Sequence, residues 1–305
     1  MPFFREACQE AFPDAVVVSC PEPEFSIAKG LAYAGWVDEN LRAFRQAIRE
    51  EITDARVSAI AAEALPALIP SVARLLCDLI LDEAAIPIAQ QWKRGDIRTL
   101  GEMNDRIAAR VERILSSPLA EETLAPAVQV WLSSLTDRLQ AMVDPICDRF
   151  EVPRRQMRLD LTATGAADVR LEPGSWMGLS LVGAVLGVIV SVAAGLLCGG
   201  GGIALIATGP LGFVAGVAVG AAASLLGWSA VSGALMRADV PLVLRRVNLE
   251  TRLRSETVRR ELRQKLTVSL SDEAGPFSTQ VVEGFSRSFR GYVYSIAQAA
   301  EIPIA

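Results

Sequence analysis

Between Glu172 and Arg237 no residue carries a charge. An α-helix needs about 20 apolar residues to cross the hydrocarbon core of a bilayer. Trp176 to Leu197 supplies one such length, and Ile203 to about Met236 supplies a second, with Pro210 near its start. Gly199 to Gly202 are consecutive glycines between them, a natural tight turn. The segment 176–236 therefore predicts a transmembrane helical hairpin that returns both flanks to the same side. A hairpin buried in a soluble core, or a re-entrant loop, satisfies the same composition. The uncharged run is longer than ordinary buried helices, which favours the spanning reading.

Small residues recur every fourth position within each half. The first half has Gly183, Gly187, Ser191 and Gly195, and the second has Gly212, Gly216, Gly220 and Ser224. Rows of this kind let two helix backbones approach closely and gain dispersion contact where lipid offers no hydrophobic drive. The pattern predicts a glycine zipper within the hairpin and self-association through it. Trp176 and Trp228 fall near span ends, where amphipathic rings prefer the interface. Arg154, Arg155, Arg158 and Arg170 precede the hairpin; Arg237, Arg245, Arg246, Arg252 and Arg254 follow it. This bias predicts an inner, cytoplasmic-type membrane with both termini in the cytoplasm. Arg245 and Arg246 are placed to meet anionic headgroups.

The rest of the chain restricts its chemistry. There is no histidine, which removes Ser-His-Asp and Cys-His sites and the commonest zinc ligand. The net charge of −5 and the lack of an aromatic-interleaved basic patch argue against nucleic-acid binding. Cys8, Cys20, Cys77, Cys147 and Cys198 form no CxxC pair and fit a reducing compartment. The acidic pairs Glu50-Glu51, Asp82-Glu83 and Glu121-Glu122 read as solvated helix ends. The glycine run lacks the Lys-Ser/Thr of a phosphate loop. No catalytic, cofactor-binding or metal-ligating residue is expected.

Periodicity divides the chain into a small α/β piece over 1–36, a helical bundle over 37–153, a connector over 154–175, the hairpin, and a helical tail over 237–305. In the first piece, Ala15 to Val18 reads as a buried strand between two short helices. In the second, Val37, Leu41, Phe44 and Ile48 form one apolar face. Leu65, Leu68, Leu75, Leu76, Leu79 and Ile80 form another, in a helix that Pro66 and Pro70 are expected to kink or break. Thr99-x-x-Glu102 is a capping box ahead of Met103, Ile107, Val111 and Ile114. Leu124, Val128, Trp131, Leu135, Leu139, Met142 and Ile146 step like a coiled-coil seam. Met157 to Thr162 alternates and suggests a short strand. In the tail, Leu249, Leu253, Val258, Leu262 and Leu266 precede a break, after which Phe277, Val281, Phe285, Phe289, Tyr292 and Ile296 resume. These helices are expected to pack on the bundle, which stands on the membrane.

Residues 3–35 resemble the last piece of the nucleotide-binding domain of Hsp70-like proteins in the actin superfamily. That family closes its ATPase domain with a helix, a short strand and a Pro-x-x-(apolar)-Ala-x-Gly-Ala segment opening a helix. The matching residues are Pro23, Ile27, Ala28, Lys29, Gly30 and Ala32. The resemblance covers about a tenth of the chain. It implies an Hsp70-like ATPase domain as a partner, encoded upstream if Met1 is an internal methionine of a longer protein. The family's phosphate loops and catalytic carboxylates have no counterpart here, so the chain itself is expected not to be an enzyme. Helices, and not a substrate-binding β-sandwich, follow the matched piece.

The expected function is therefore a membrane-anchoring helical part of an Hsp70-like or actin-like ATPase. A dynamin-like membrane-remodelling or pore-forming protein is the first alternative. A non-enzymatic membrane protein that recruits a partner is the second.

Overall fold

A computed structural model describes Glu10 and residues 23–162, 181–198, 249–272 and 275–302. Among them there is no strand. The helices are α1 (Pro23–Glu51), α2 (Asp54–Asp78), a π-helical segment (Leu79–Ala85), α3 (Ile86–Arg94), α4 (Leu100–Leu115), α5 (Pro118–Arg149), a 3₁₀ turn (Arg154–Met157), α6 (Leu181–Cys198), α7 (Leu249–Leu253), α8 (Glu256–Leu270) and α9 (Pro276–Ala299). The protein is a mainly α helical bundle.

The run α2–π–α3 is its central rod, and α5, α8 and α9 pack along it. Val57, Ala61, Leu65, Leu68, Val72 and Leu76 fill its core face. Pro66 and Pro70 do not break α2: of the two outcomes expected from the sequence, a kink or a break, the break does not occur. Each proline removes one backbone donor and frees the carbonyl four residues earlier. Both prolines, and Ala62, are exposed, so the freed carbonyls of Ala62 and Pro66 lie toward water. Pro126 and Pro145 within α5 are likewise exposed. The prolines sit where solvent replaces the missing bond.

The π segment has a local cause as well. Pro87 has no N–H to offer Glu83 O, the α-helical acceptor four residues back. Arg110 of α4 donates to that oxygen, while the Ile86 N–H bonds back to Leu81 O. The wider turn keeps Leu79, Ile80, Leu81, Ala84 and Ala85 all buried. On the α8 side of the rod, Arg259 donates to Asp78 Oδ1 at 2.8 Å and to Asp82. The acidic pair Asp82-Glu83 is exposed, as expected, but lies within the rod and not at a helix end: the Asp82 carboxylate takes one arginine, and Glu83 O takes another.

Helix ends follow their sequence signals. Thr99 Oγ1 accepts from the Glu102 N–H, and the Glu102 carboxylate reaches back to the Arg98 N–H, one residue beyond the usual capping-box donor. Arg98 and Arg106 together hold the Glu102 carboxyl below its ordinary value, the backbone donor contributing most. Gly95 closes α3 at φ 92°, a left-handed conformation that a side chain would strain.

The apolar seams are buried largely as read. Leu124, Val128, Trp131, Leu135, Leu139 and Ile146 are in the core, with Val143 taking the fully buried place beside a half-buried Met142. Phe277, Val281, Phe285 and Phe289 line α9, and Trp131 meets Phe285 edge-on at 5.2 Å between centroids. Residues 157–162 form no strand. Gln140 of α5 instead donates to Met157 O and accepts from the Leu159 N–H, and the Tyr292 hydroxyl of α9 donates to Asp160 O. Side chains thus strap this segment to α5 and α9.

Two boundaries differ from the expected domains. Helix α1 runs unbroken through the division placed at 36/37. No proline or capping residue separates Trp36 from Val37, and helix propagation is cooperative once nucleated. The second difference concerns α6. Its Val182, Val185, Leu186, Ile189, Val192 and Ala193 are buried, and it packs on α4, α5 and α9. The helix expected as the first membrane span is thus part of the bundle and not a separate body. A helix apolar all round is equally at home in a protein core and in lipid, so periodicity alone does not separate the two.

Candidate interaction sites on α1 and α6

The matched motif lies on the first half of α1. Pro23 and Ile27 are helical there, and Ala28, Lys29, Gly30 and Ala32 are exposed. From Val37 onward the helix joins the bundle, burying Phe44, Ala47 and Ile48. Before that point it stands off as an arm. Phe25 is 55% exposed, Leu31 70% and Trp36 43%. On a helical projection Leu31, Ala28, Ala32, Phe25 and Trp36 share one arc, at 100° per residue. The Tyr33 and Trp36 rings meet at a tilt, 5.5 Å between centroids. A side chain added at Gly30 or Gly35 would meet nothing within 4 Å. An apolar, small-residue helix face of this kind buries nothing among the described residues.

The small-residue row of α6 faces the other way from its buried side. Gly187, Ser191 and Gly195 are exposed, and Gly183 is half-buried. Added side chains at Gly187 and Gly195 have nothing within 4 Å. Gly212, Gly216, Gly220, Ser224, Trp176, Trp228, Arg237, Arg245, Arg246 and residues 15–18, expected as a strand, lie outside the described residues.

The close glycine contact of α6 comes from a residue outside that row. A Cβ at Gly284 of α9 would lie 2.8 Å from Val188 Cγ2. Gly284 sits seven residues after Phe277 and three after Val281, on the apolar face of α9, and that spacing was the available signal.

One described helical run, Asp54–Arg94, is long and apolar enough to cross a membrane, with a mean hydropathy of 1.8 over its best window. More than half of that window, 56%, is buried inside the bundle. The central rod of a soluble bundle needs the same composition.

Among the described residues no group of three or more His, Cys, Asp or Glu side chains is placed to hold a metal ion. Cys77 and Cys147 are free and buried. Burial, with Asp144 and Asp148 nearby, pushes the Cys147 thiol up to about 11, far from a reactive thiolate. Comparison with protein-family models, curated proteins and solved structures returned no match. The functional reading rests on the arm, on the open face of α6, and on the uncharged segment.

Proposed function

We propose that the chain is the helical, non-catalytic body of a membrane-associated assembly. In this reading the arm of α1 docks an Hsp70-like ATPase domain, and the segment 176–236 holds the assembly at the cytoplasmic face of a membrane. The observation that carries the reading is the arm itself. Of the residues that resemble the closing helix of such a domain, Ala28, Lys29, Gly30 and Ala32 are exposed, and Phe25, Leu31 and Trp36 beside them are exposed as well. Apolar side chains aligned on one exposed helix face mark an interaction site more often than chance exposure does.

The test is complementation. An Hsp70-type nucleotide-binding domain truncated before its closing helix is co-expressed with this chain. Recovery of a soluble, ATP-binding complex supports the reading, and the triple change Phe25→Ser, Leu31→Ser, Trp36→Ser abolishes it. Failure of the intact chain to form the complex refutes it.

A second reading, a membrane-remodelling protein, draws on the open small-residue face of α6, which suits helix–helix association. Dye release from liposomes tests it; intact liposomes at saturating protein count against it.

A further inference from the structure

Where α1 enters the bundle it forms a groove of about 290 Å³ with the end of α9, lined by Asp38, Arg42, Arg45, Gln46, Arg49, Tyr294 and Gln298. The arginines fall at spacings of three and four, so they share one helix face. Their states differ. Arg42 is paired with Glu39 at 2.5 Å, both well exposed. Arg45 donates through Nε to Ala297 O at 3.2 Å and through Nη2 to Gln298 O at 3.0 Å. These are terminal carbonyls of α9 without helical donors of their own. The Arg49 guanidinium lies 4.2 Å from the centroid of the Tyr294 ring.

Neither Arg45 nor Arg49 has a carboxylate partner among the described residues. Both are nonetheless held in place, one by carbonyls and one by an aromatic face. The two carbonyl bonds use part of Arg45's five-donor set, and the ring contact uses none of Arg49's edge donors. The rotamer entropy that an anion would otherwise have to remove is already spent. Two held guanidiniums with spare donors, lining one groove, can together recognise a tetrahedral oxyanion.

We propose that this groove binds a phosphate group, with Arg45 and Arg49 as its principal donors and Arg42 as a third that exchanges Glu39 for the ligand. Asp38 is the one carboxylate in the wall, and it opposes the ligand. The site does not depend on the docking role of the arm. The phosphate belongs either to a soluble phosphate compound or to a phosphomonoester lipid headgroup.

The experiment uses the full chain and its variants Arg49→Gln, Arg45→Gln and Asp38→Asn, with Arg113→Gln of α4 as a charge-matched control. Inorganic phosphate is titrated calorimetrically. Flotation is measured with vesicles of phosphatidylcholine alone and with added phosphatidic acid. Binding of free phosphate that Arg49→Gln weakens about 10- to 100-fold, that Asp38→Asn tightens and that Arg113→Gln leaves unchanged establishes a soluble ligand. The same pattern in phosphatidic-acid flotation, without competition by free phosphate, establishes the headgroup. Arg45→Gln also removes a helix cap, so its melting temperature is measured alongside; Arg49→Gln and Asp38→Asn carry the test if it unfolds. No binding to either probe, or binding that Arg49→Gln and Arg113→Gln alter alike, overturns the proposal.

Discussion

Gly284 and Gly187 offer a paired test of where α6 resides. Both lie inside helices, so replacing either by alanine relieves the same backbone penalty, roughly 0.5–1 kcal/mol in favour of the folded state. The new methyl at 187 enters open space, whereas at 284 it would lie 2.8 Å from Val188 Cγ2. Valine in a helix keeps essentially one rotamer, so it does not swing aside, and the helices must separate. Overpacking of that kind costs about 1–3 kcal/mol. The propensity gain is common to both variants, so the difference between them reports the α6–α9 contact alone. Gly187→Ala is expected to raise the urea midpoint slightly. Gly284→Ala is expected to lie about 1–3 kcal/mol below it, and Val188→Ala in the same chain to recover most of the loss. Equal stabilisation by the two alanines would show that α6 does not pack under α9, and the bundle would have to be redrawn without it.

Other outcomes follow from single contacts. Arg259→Leu removes the arginine that Asp82 pairs with and leaves Asp78 only Arg263 at 3.8 Å; with both carboxylates partly exposed, it is expected to cost about 1 kcal/mol in urea unfolding. Pro70→Ala restores a backbone donor at a solvent-facing position and is expected to stabilise by up to about 3 kcal/mol in the same assay. The Arg154 guanidinium hydrogen-bonds Asp148 and holds its carboxyl below the ordinary value. That interaction favours the folded state above the unfolded carboxylate pKa and is lost as pH falls through the depressed one. In Arg154→Ala, carboxyl NMR is expected to show Asp148 titrating near its ordinary value. The buried Cys147 thiol is expected to resist iodoacetamide at pH 8 in the folded protein and to react after denaturation, followed by mass spectrometry.

The helical character was legible because long seams such as Leu124 to Ile146 and Phe277 to Phe289 have a period that only a helix buries. The cap at Thr99 was legible from its local spacing to Glu102. Three things depended on partners distant in sequence. The fate of Pro66 and Pro70 depended on which face of α2 met water, and that is set by α5, α8 and α9. The pairing of Asp78 and Asp82 depended on Arg259, which belongs to another helix. The place of α6 depended on whether α4, α5 and α9 present a fitting surface, and its composition suits lipid as well as protein. The sequence places Arg42, Arg45 and Arg49 on one face of α1, but that row was not read as a site. The second wall of the groove, Tyr294 and the end of α9, was not legible there.

The enclosure of α6 has a consequence in time. Two of its covering helices, α4 and α5, precede it in the chain, but α9 is made only after residues 199–275. At ribosomal speeds that interval is on the order of ten seconds. Throughout it, an uncharged helix lacks its α9 partner, on a timescale far longer than helix formation or collapse. Synthesis therefore sets a race between capture of α6 by whatever apolar surface is nearby and capture by its own C-terminal helix. Slowing translation between Cys198 and Pro276 lengthens that window without altering a single contact in the finished fold.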